Sequence, residues 1–333
     1  MNNLETFRSK IGGQNIMVVG DVMIDAYLWG KVDRISPEAP VPIVSVNRRE
    51  NRLGGAANVA LNIQALGATP ILCSVLGNDI KSQDFMELLK EQNMPTDGII
   101  TSNDRITTVK SRIIGNNAQM LRIDQEITAP LSITDEELLT ERIAKILNDS
   151  EINAIIFQDY DKGNITPKVI EQVSAMAKAR NIPTAVDPKK RNFLNFKNVT
   201  LFKPNFKELK EGLNKDIKDI TVESLTEAAR ILHESQNIDI VFITLSEKGA
   251  FIADFREGRA RTMLIPAHLR KISDVSGAGD TVISVATCCL SMGLPVECLV
   301  NFSNLAGGIV CESVGVVPID RNRLFSEIQR LNY

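Results

Sequence analysis

The sequence contains few of the side chains that build metal centres or reactive thiol sites. It has two histidines and five cysteines among 333 residues, and no Cys-x-x-Cys pair. Structural zinc sites use closely spaced Cys and His ligands, and a catalytic cysteine needs a histidine partner. We therefore expect neither a zinc centre nor a Cys–His catalytic pair. The cysteines stand mostly in apolar stretches, which favours buried and reduced thiols.

Long apolar runs and a large excess of one charge are missing as well. No apolar stretch approaches the ~20 residues that are needed to span a bilayer. Residues 1–6 lack the basic and apolar regions of a signal peptide. The formal net charge of −3 argues against a nucleic-acid-binding surface. These features predict a cytoplasmic protein that has neither a membrane nor a nucleic acid as its partner.

Two common phosphate-binding motifs are also absent. The sequence has no G-x-x-x-x-G-K-[ST] segment, which excludes a P-loop enzyme. The glycines at 277 and 279 lack the third glycine of G-x-G-x-x-G and stand near the C-terminus rather than after the first strand. A dinucleotide-binding dehydrogenase therefore fits the sequence poorly.

Most of the chain instead shows alternating strand and helix patterns. Residues 16–20 form a continuous apolar run, as expected of a strand that is covered on both faces. Alternation of strands and helices predicts an α/β fold with a mostly parallel central sheet and helices on both sides. Without internal repeats or a long linker, we expect one domain over residues 1–333. Further strands are predicted at 70–75, 154–157, 183–187, 199–203 and 238–244, and helices at 82–92, 134–147, 166–180 and 281–290.

Two segments, at about 27–47 and 104–124, break this alternation. The first contains Pro37, Pro40 and Pro42, and the second has a hairpin pattern over 106–114 and 119–123. Together they predict a small β-sheet that acts as a lid. Lys110 and Arg112 are two residues apart and therefore share one face of a strand. They either grip a phosphate on the substrate or protect an exposed edge strand, and both interpretations stay open here.

The segment Asp274 to Asp280 is the most informative part of the sequence. Gly277, Ala278 and Gly279 leave almost no side chain at this turn, so the backbone N–H groups can approach an anion at the start of the following helix. Asp280 stands in the first turn of that helix. Its carboxylate either accepts a proton from an attacking hydroxyl or merely caps the helix, and the local sequence does not decide.

Other polar residues follow predicted strands, where ligands bind in open α/β sheets. Asp21 and Asp25 either hold substrate hydroxyls or form a turn. The expected substrate side also includes two glycines and an asparagine at a predicted helix start, and an acidic–basic pair after a later strand. These residues are Gly54, Gly55, Asn58, Asp187 and Lys189.

Two further segments point to a nucleotide. Asn205 and Glu208, three residues apart at a helix start, either order a hydrated cation or form a capping box. Residues 244–250 suggest a glycine hairpin with a flat backbone ledge for a planar base.

Taken together, these motifs resemble the ribokinase-like (PfkB) family of sugar kinases over essentially the whole chain. The resemblance implies a three-layer fold with a β-sheet lid, ATP as the donor, and Mg²⁺. It makes Asp280 the catalytic base and Gly277, Ala278 and Gly279 the anion hole. Val275 departs from the threonine that many members have. The resemblance also implies nucleotide contacts from Asn205, Phe206, Lys207, Glu208, Ser246 and Gly249, with Glu208 contacting Mg²⁺ through water.

Within the family, residues 20–25, 34–42 and 53–60 resemble D-glycero-β-D-manno-heptose-7-phosphate kinases. This implies phosphorylation of the anomeric hydroxyl of the heptose phosphate, on the route to ADP-heptose and lipopolysaccharide. The resemblance also implies a homodimer through the lid, and we expect a separate nucleotidyltransferase because the sequence stops at Tyr333. Residues 158–163 and 205–208 depart from the common subfamily pattern. The alternatives are another sugar or nucleoside kinase of the family, or a nonenzymatic sensor.

Overall fold

The computed structural model describes residues 3–333 and contains two β-sheets with helices packed around the larger one. The strands are β1 Asn15–Gly20, β2 Val22–Ile35, β3 Pro42–Gly55, β4 Thr69–Gly77, β5 Ile99–Ser102, β6 Val109–Gly115, β7 Ala118–Gln125, β8 Ala154–Gln158, β9 Thr184–Asp187, β10 Leu201–Phe202, β11 Ile240–Thr244, β12 Ala250–Asp254 and β13 Arg261–Ile265. The helices are α1 Asn3–Lys10, α2 Ala56–Leu66, α3 Ile80–Glu91, α4 Ile133–Asp149, α5 Pro167–Ala179, α6 Phe206–Leu213, α7 Val222–Gln236, α8 Ala278–Ser291, α9 Val296–Val310 and α10 Arg321–Leu331.

The larger sheet has the order β13-β12-β11-β10-β9-β8-β1-β4-β5. Strand pairs β11–β12 and β12–β13 are antiparallel, and the other neighbours are parallel. This confirms the predicted mostly parallel sheet. The predicted central strands and helices agree with the observed ones to within a few residues, except that α8 begins at Ala278, before its predicted start.

The buried strand β1 explains how the three layers are held together. Ile16 and Val18 pack into one hydrophobic cluster, which includes residues of α2, α8 and α9. Met17 and Val19, on the opposite face, pack into a second cluster with residues of α4, α5 and α7. Alternate side chains of a strand point to opposite faces, so burial on both sides requires an uninterrupted apolar run. All five cysteines are buried and free, as predicted.

The smaller sheet, called here the small sheet, has the order β3-β2-β6-β7. Its hairpin β6–β7 confirms the sequence prediction. In the other half, residues 29–35 are the outer part of β2, and residues 36–41 form the proline-rich connection to β3. Gly54 and Gly55 end β3, and Gly55 is the N-cap of α2, which confirms the expected glycines at a helix start. Gly55 has a positive φ of 61°, which residues with a side chain rarely adopt.

The carboxyl ends of several main-sheet strands meet at one edge of the molecule. Strands β1, β8 and β9 lead there to Asp21, Gln158 and Asp187, and Lys203 follows β10. The N-terminus of α8 contacts β8 and β9 at the same edge. The topology thus gathers the candidate residues that are far apart in sequence. Over residues 3–333, no helix is both long and apolar enough to cross a membrane.

Candidate active site

Asp280 lies in the first turn of α8 and is only 6% exposed. Its Oδ2 accepts a hydrogen bond of 2.7 Å from Asn58 Nδ2. Its Oδ1 accepts bonds from Tyr160 Oη at 2.6 Å and from Gln158 Nε2 at 3.3 Å. These donors come from α2, β8 and the loop after β8 rather than from the helix's own first turn. The geometry therefore favours a site residue over a simple helix cap.

The environment of Asp280 gives its carboxyl group the properties of a base near neutral pH. Burial raises its pKa to about 6, while the hydrogen bonds from Tyr160 and Asn58 act to lower the pKa. The nearby charge of Asp187 raises the pKa further. A carboxylate with this pKa is mostly ionised at pH 7 and still takes up a proton readily.

The turn before α8 contains an internal backbone hydrogen bond, from the Ala278 N–H to the Val275 carbonyl at 3.3 Å. Gly277 precedes the helix with a φ of 79°. A Cβ at this position would lie 3.0 Å from Val316 Cγ1 and 3.1 Å from Asn58 Nδ2. The first N–H groups of a helix have no partner within the helix and attract anions. An anion hole of Gly277, Ala278 and Gly279 stays a prediction, and in it Ala278 would have to release the Val275 carbonyl. The side chain of Val275, the departure from the family pattern, is exposed.

A chain of alternating charges runs from this turn towards α6. Lys203 is buried, and its Nζ lies 3.0 Å from Asp187 Oδ2. Both atoms are 3.8 Å from the place where a Cβ on Gly279 would stand. The Nζ of Lys189 lies 3.8 Å from Asp187 Oδ1 and also pairs with Glu208. Burial acts to lower the pKa of Lys189, but the two carboxylates raise it overall. The Lys203 ammonium therefore stands beside the start of α8, and the Lys189 ammonium lies at the other carboxylate oxygen of Asp187.

Asn205 and Glu208 form the capping box of α6. Asn205 Oδ1 accepts from the Glu208 backbone N–H at 2.9 Å, and Glu208 Oε2 accepts from the Asn205 N–H at 2.8 Å. The capping interpretation is thus confirmed, and the contact with a hydrated cation stays a prediction. Phe206 packs against the core of the main domain, whereas Lys207 points outward and pairs with Glu211 at 3.8 Å.

The predicted hairpin of the nucleotide side is present between β11 and β12. Ser246 and Gly249 lie in its turn and both have positive φ angles, of 54° and 92°. A Cβ at Gly249 would clash with the carbonyl oxygen of Ile265, so only glycine fits. The turn is joined to the α6 start by a bridge between Thr244 and Asn205. The β11–β12 turn and the start of α6 are therefore neighbours, and their contact with a nucleotide stays a prediction.

Asp21 is fully buried at the end of β1 and holds the loop that follows β8. Its Oδ2 accepts from the backbone N–H groups of Tyr160 at 2.8 Å and Lys162 at 3.1 Å. Its Oδ1 accepts from the backbone N–H and side-chain amide of Asn164, at 2.9 and 3.0 Å. These four donors fill the acceptor positions of a carboxylate. A contact of Asp21 with substrate stays a prediction, and it would require one of these bonds to break.

Lys110 and Arg112 lie on β6, as predicted, and share one face of the small sheet. The edge-strand interpretation is wrong, because β6 lies between β2 and β7. Arg112 donates to Asp25 Oδ1, and a Cβ on Gly54 would lie 2.5 Å from Asp25 Oδ2. Lys110 Nζ contacts Asp124 at 3.0 Å and Glu126 at 3.1 Å. Both cations are thus paired with carboxylates in this structure.

Sequence reasoning placed residues 158–163 on the ligand side without a role for Gln158 or Tyr160, and it missed Lys203 and Arg52. Lys203, Gln158 and Tyr160 reach Asp187 or Asp280 as described, and the guanidinium of Arg52 lies 4.8 Å from the centre of the Tyr27 ring. The guanidinium of Arg112 lies 5.3 Å from the same ring. The sequence offered one signal for Lys203, namely its position directly after an apolar strand. The other three depend on contacts between distant parts of the chain.

Comparison with known proteins places these features in a family context. The model of the pfkB family carbohydrate kinases matches residues 14–321. The chain is 40% identical to the bifunctional protein HldE of Methylobacillus flagellatus over 94% of this chain and 63% of that protein. It is also 40% identical to the bifunctional protein HldE of Wolinella succinogenes, over 90% of this chain and 61% of that protein. The chain thus spans a little over three fifths of the length of these relatives.

Solved structures show the same fold. Phosphofructokinase-2 from Escherichia coli in complex with potassium matches with a TM-score of 0.76 and 19% identity, over 95% of this chain and 99% of that chain. Arabidopsis thaliana ribokinase, complexed with ribose and ATP, matches with a TM-score of 0.68 and 17% identity, over 94% of this chain and 98% of that chain. At these identities the likeness establishes a shared ribokinase-like α/β fold.

Proposed function

Because the chain belongs to the pfkB family of carbohydrate kinases, we propose that it phosphorylates the anomeric hydroxyl of D-glycero-β-D-manno-heptose 7-phosphate. ATP is the donor, and heptose 1,7-bisphosphate and ADP are the products. That the enzyme is a sugar kinase follows from the family. The observation that carries the mechanism is the buried Asp280 carboxylate, with a pKa of about 6, at the start of α8.

Asp280 acts in this proposal as the general base. The sugar hydroxyl oxygen forms a bond to the γ-phosphorus of ATP while its proton passes to the Asp280 carboxylate. The bond between the γ-phosphorus and the oxygen that bridges to the β-phosphate breaks, and ADP leaves with that electron pair. Removal of the proton during attack makes the hydroxyl a better nucleophile.

The groups beside Asp280 would stabilise the charge on the transferring phosphoryl group. The amides of Gly277 and Gly279 would meet the anion with the positive end of the α8 dipole, and the Ala278 amide would join them by releasing the Val275 carbonyl. Lys203, whose ammonium stands beside Gly279, supplies a fixed positive charge. We expect Lys189 to act from the other side of Asp187, towards α6.

The residues also fit a hydrated Mg²⁺ that arrives with ATP. Within residues 3–333 there is no group of three or more His, Cys, Asp or Glu side chains that could hold a metal ion. Mg²⁺ typically keeps several waters and uses one or two carboxylates together with substrate phosphates. Glu208 would hold the ion through water, next to Asn205. When bound, Mg²⁺ neutralises charge on the ATP phosphates.

The heptose phosphate is favoured by the residue patterns at 20–25, 34–42 and 53–60 and by the cations of the small sheet. Arg52 and Arg112 flank Tyr27, and Lys110 lies on the same face as Arg112. Arginine and lysine side chains that converge on one face suit a phosphate group. In our proposal they exchange part of their carboxylate contacts for the 7-phosphate, next to Asp25, Gly54 and Asn58.

We further propose a homodimer through the small sheet and a cytoplasmic location. The small sheet carries exposed apolar side chains on three of its strands and at the proline-rich connection: Ile35, Val41, Val46, Met120, Leu121 and Ile123. Five buried free thiols and the use of ATP suit a reducing compartment. A nucleotidyltransferase would then act on the phosphorylated product, in keeping with relatives that are named bifunctional.

An ADP-release assay across a panel of acceptors tests the substrate assignment. The panel should contain the heptose 7-phosphate, free heptose, fructose 6-phosphate, ribose and adenosine. We expect the highest kcat/KM for the heptose 7-phosphate and a marked loss for free heptose. A higher kcat/KM for an unphosphorylated sugar or a nucleoside would show that the heptose 7-phosphate is not the substrate. Absence of ADP release with every acceptor would contradict the kinase mechanism.

A further inference from the structure

The two oxygens of the Asp280 carboxylate have different surroundings. Oδ1 accepts the 2.6 Å bond from Tyr160 Oη and the 3.3 Å bond from Gln158 Nε2. Oδ2 accepts the 2.7 Å bond from Asn58 Nδ2. A carboxylate oxygen has two lone pairs. The described contacts therefore fill both positions on Oδ1 and one of the two positions on Oδ2.

Gln158 can hold only one amide orientation in this site. Its Nε2 faces Asp280 Oδ1 at 3.3 Å and Asp187 Oδ2 at 3.4 Å. Reversal of the amide would place its oxygen against two carboxylates and leave them without this donor. Gln158 therefore links the two acidic groups, but its long contacts make it the weaker of the two donors to Oδ1.

Tyr160 is held firmly in place to act as the stronger donor. Its backbone N–H donates to the buried carboxylate of Asp21, which also binds the backbone of Lys162 and Asn164. The ammonium of Lys189 lies 5.8 Å from the centre of the Tyr160 ring. Burial, together with the charge of Asp280, raises the pKa of Tyr160 well above its usual value. The phenol therefore stays protonated and remains a donor at any pH at which the enzyme is assayed.

We propose that Tyr160 is the positioning residue of the general base: its hydroxyl occupies Oδ1 of Asp280 and so assigns proton uptake from the substrate to Oδ2. This inference rests on the proposed kinase function, but not on the identity of the sugar. The buried carboxylate of Asp21 acts one step further away, because it orients the loop that carries Tyr160. In this arrangement the substrate hydroxyl approaches from the Asn58 side of the carboxylate.

The substitution Tyr160→Phe tests the proposal by removal of one hydroxyl group. Since the Tyr160 hydrogen bond lowers the pKa of Asp280, its loss should raise that pKa and move the acid limb of kcat/KM from about pH 6 to higher pH. Misorientation of the base should also lower the plateau kcat by about 10- to 100-fold, without a comparable change in KM for ATP. The assay should use whichever acceptor the wild-type enzyme turns over best, so an error in the sugar assignment leaves this test intact.

Replacement of Tyr160 by 3-fluorotyrosine provides the opposite perturbation with the fold unchanged. Its more acidic phenol is a stronger donor, so the acid limb should move to lower pH. Tyr333→Phe is the matched control, because the Tyr333 hydroxyl contacts His268 at 3.5 Å, in a different part of the molecule. We expect that control to keep the wild-type pH profile. An unchanged acid limb in both Tyr160 variants, or a loss explained entirely by a lower melting temperature, would overturn the proposal.

Discussion

At the scale of single residues, the chemistry of Asp280 depends on neighbours that lie far away in sequence. Asn58, Gln158 and Tyr160 donate to its carboxylate, and burial sets the direction of its pKa shift. A carboxylate in the first turn of a helix would ordinarily be exposed and acidic. In this site it is enclosed and keeps a higher proton affinity, which suits proton transfer from a hydroxyl.

The substitution Asp280→Asn should remove the base, and the asparagine side chain should preserve the shape of the site. We expect kcat to fall by roughly 10²- to 10⁴-fold, the range typical of general-base loss, with ATP binding retained. Steady-state kinetics and calorimetric titration with ATP measure the two effects. Asp239→Asn, just before the amino end of β11, is the control for loss of a partly buried carboxylate. Near-normal turnover in Asp280→Asn would overturn its assignment as the base.

The double substitution Lys110→Ala with Arg112→Ala should raise KM sharply for the phosphorylated sugar and leave KM for ATP nearly constant. The reason is that both cations face the same side of the small sheet, and a phosphate gains charge-assisted hydrogen bonds from them. Steady-state titration of each substrate separates the effects. Arg122→Ala serves as a comparison, because Arg122 is half exposed on β7 and pairs with Asp124. An unchanged KM for the phosphosugar would show that these two residues do not hold its phosphate.

At the scale of elements, a glycine with positive φ stands directly before each of two helices of the site. Gly55 joins β3 to α2, which carries Asn58, and Gly277 precedes α8, which carries Asp280. Both glycines have φ angles that other residues rarely adopt. The two helices also pack on each other, and Ser284 Oγ donates to the Val59 carbonyl. Backbone geometry at these glycines therefore decides how Asn58 meets Asp280.

Substitution of Gly55 by alanine should destabilise this junction. The positive φ costs about 1–3 kcal/mol for a residue with a side chain, and the new Cβ would clash with the Asp21 carbonyl oxygen. Urea denaturation should report a lower free energy of unfolding. Gly13→Ala is the matched control, since nothing lies within 4 Å of its Cβ position. If the two variants were equally stable, the argument from backbone strain at Gly55 would be wrong.

At the scale of the whole molecule, the small sheet is the least enclosed part of the structure. All eight residues of its outer strand β7 are exposed, among them Met120, Leu121 and Ile123. An unprotected edge strand with apolar side chains is a ready site for pairing with another chain. Because β7 belongs to the same sheet as Lys110 and Arg112, an intersubunit contact there would lie beside the proposed substrate-phosphate site.

Leu121→Lys should therefore weaken the proposed homodimer. A lysine at the centre of an apolar contact would leave a charge buried without a partner. Sedimentation velocity over a range of protein concentrations should show a dimer for the wild type and a larger monomer fraction for the variant. Leu194→Lys, at an equally exposed leucine outside the small sheet, is the control. A monomeric wild type, or the same shift in both variants, would exclude this interface.

Local patterns were sufficient to predict the fold class and the reactive segment. The apolar run of residues 16–20 reflects burial on both faces of β1, and the small residues at 277–279 accompany the positive φ of Gly277 just before α8. Both are properties of a few consecutive residues. The same holds for the capping box of Asn205 and Glu208, whose two partners lie within one helical turn.

Contacts between distant segments were decided only by the tertiary structure. Asp21 turned out to hold the loop of Tyr160, which is 139 residues away, and Tyr160 in turn meets Asp280 after a further 120 residues. Such contacts follow from strand order in the sheet, since β1, β8 and β9 bring their carboxyl ends together. The sequence by itself thus determined the kinase family and indicated Asp280 as the proposed proton acceptor. The tertiary structure decided which neighbours tune that residue, because only the folded sheet brings them within hydrogen-bonding distance.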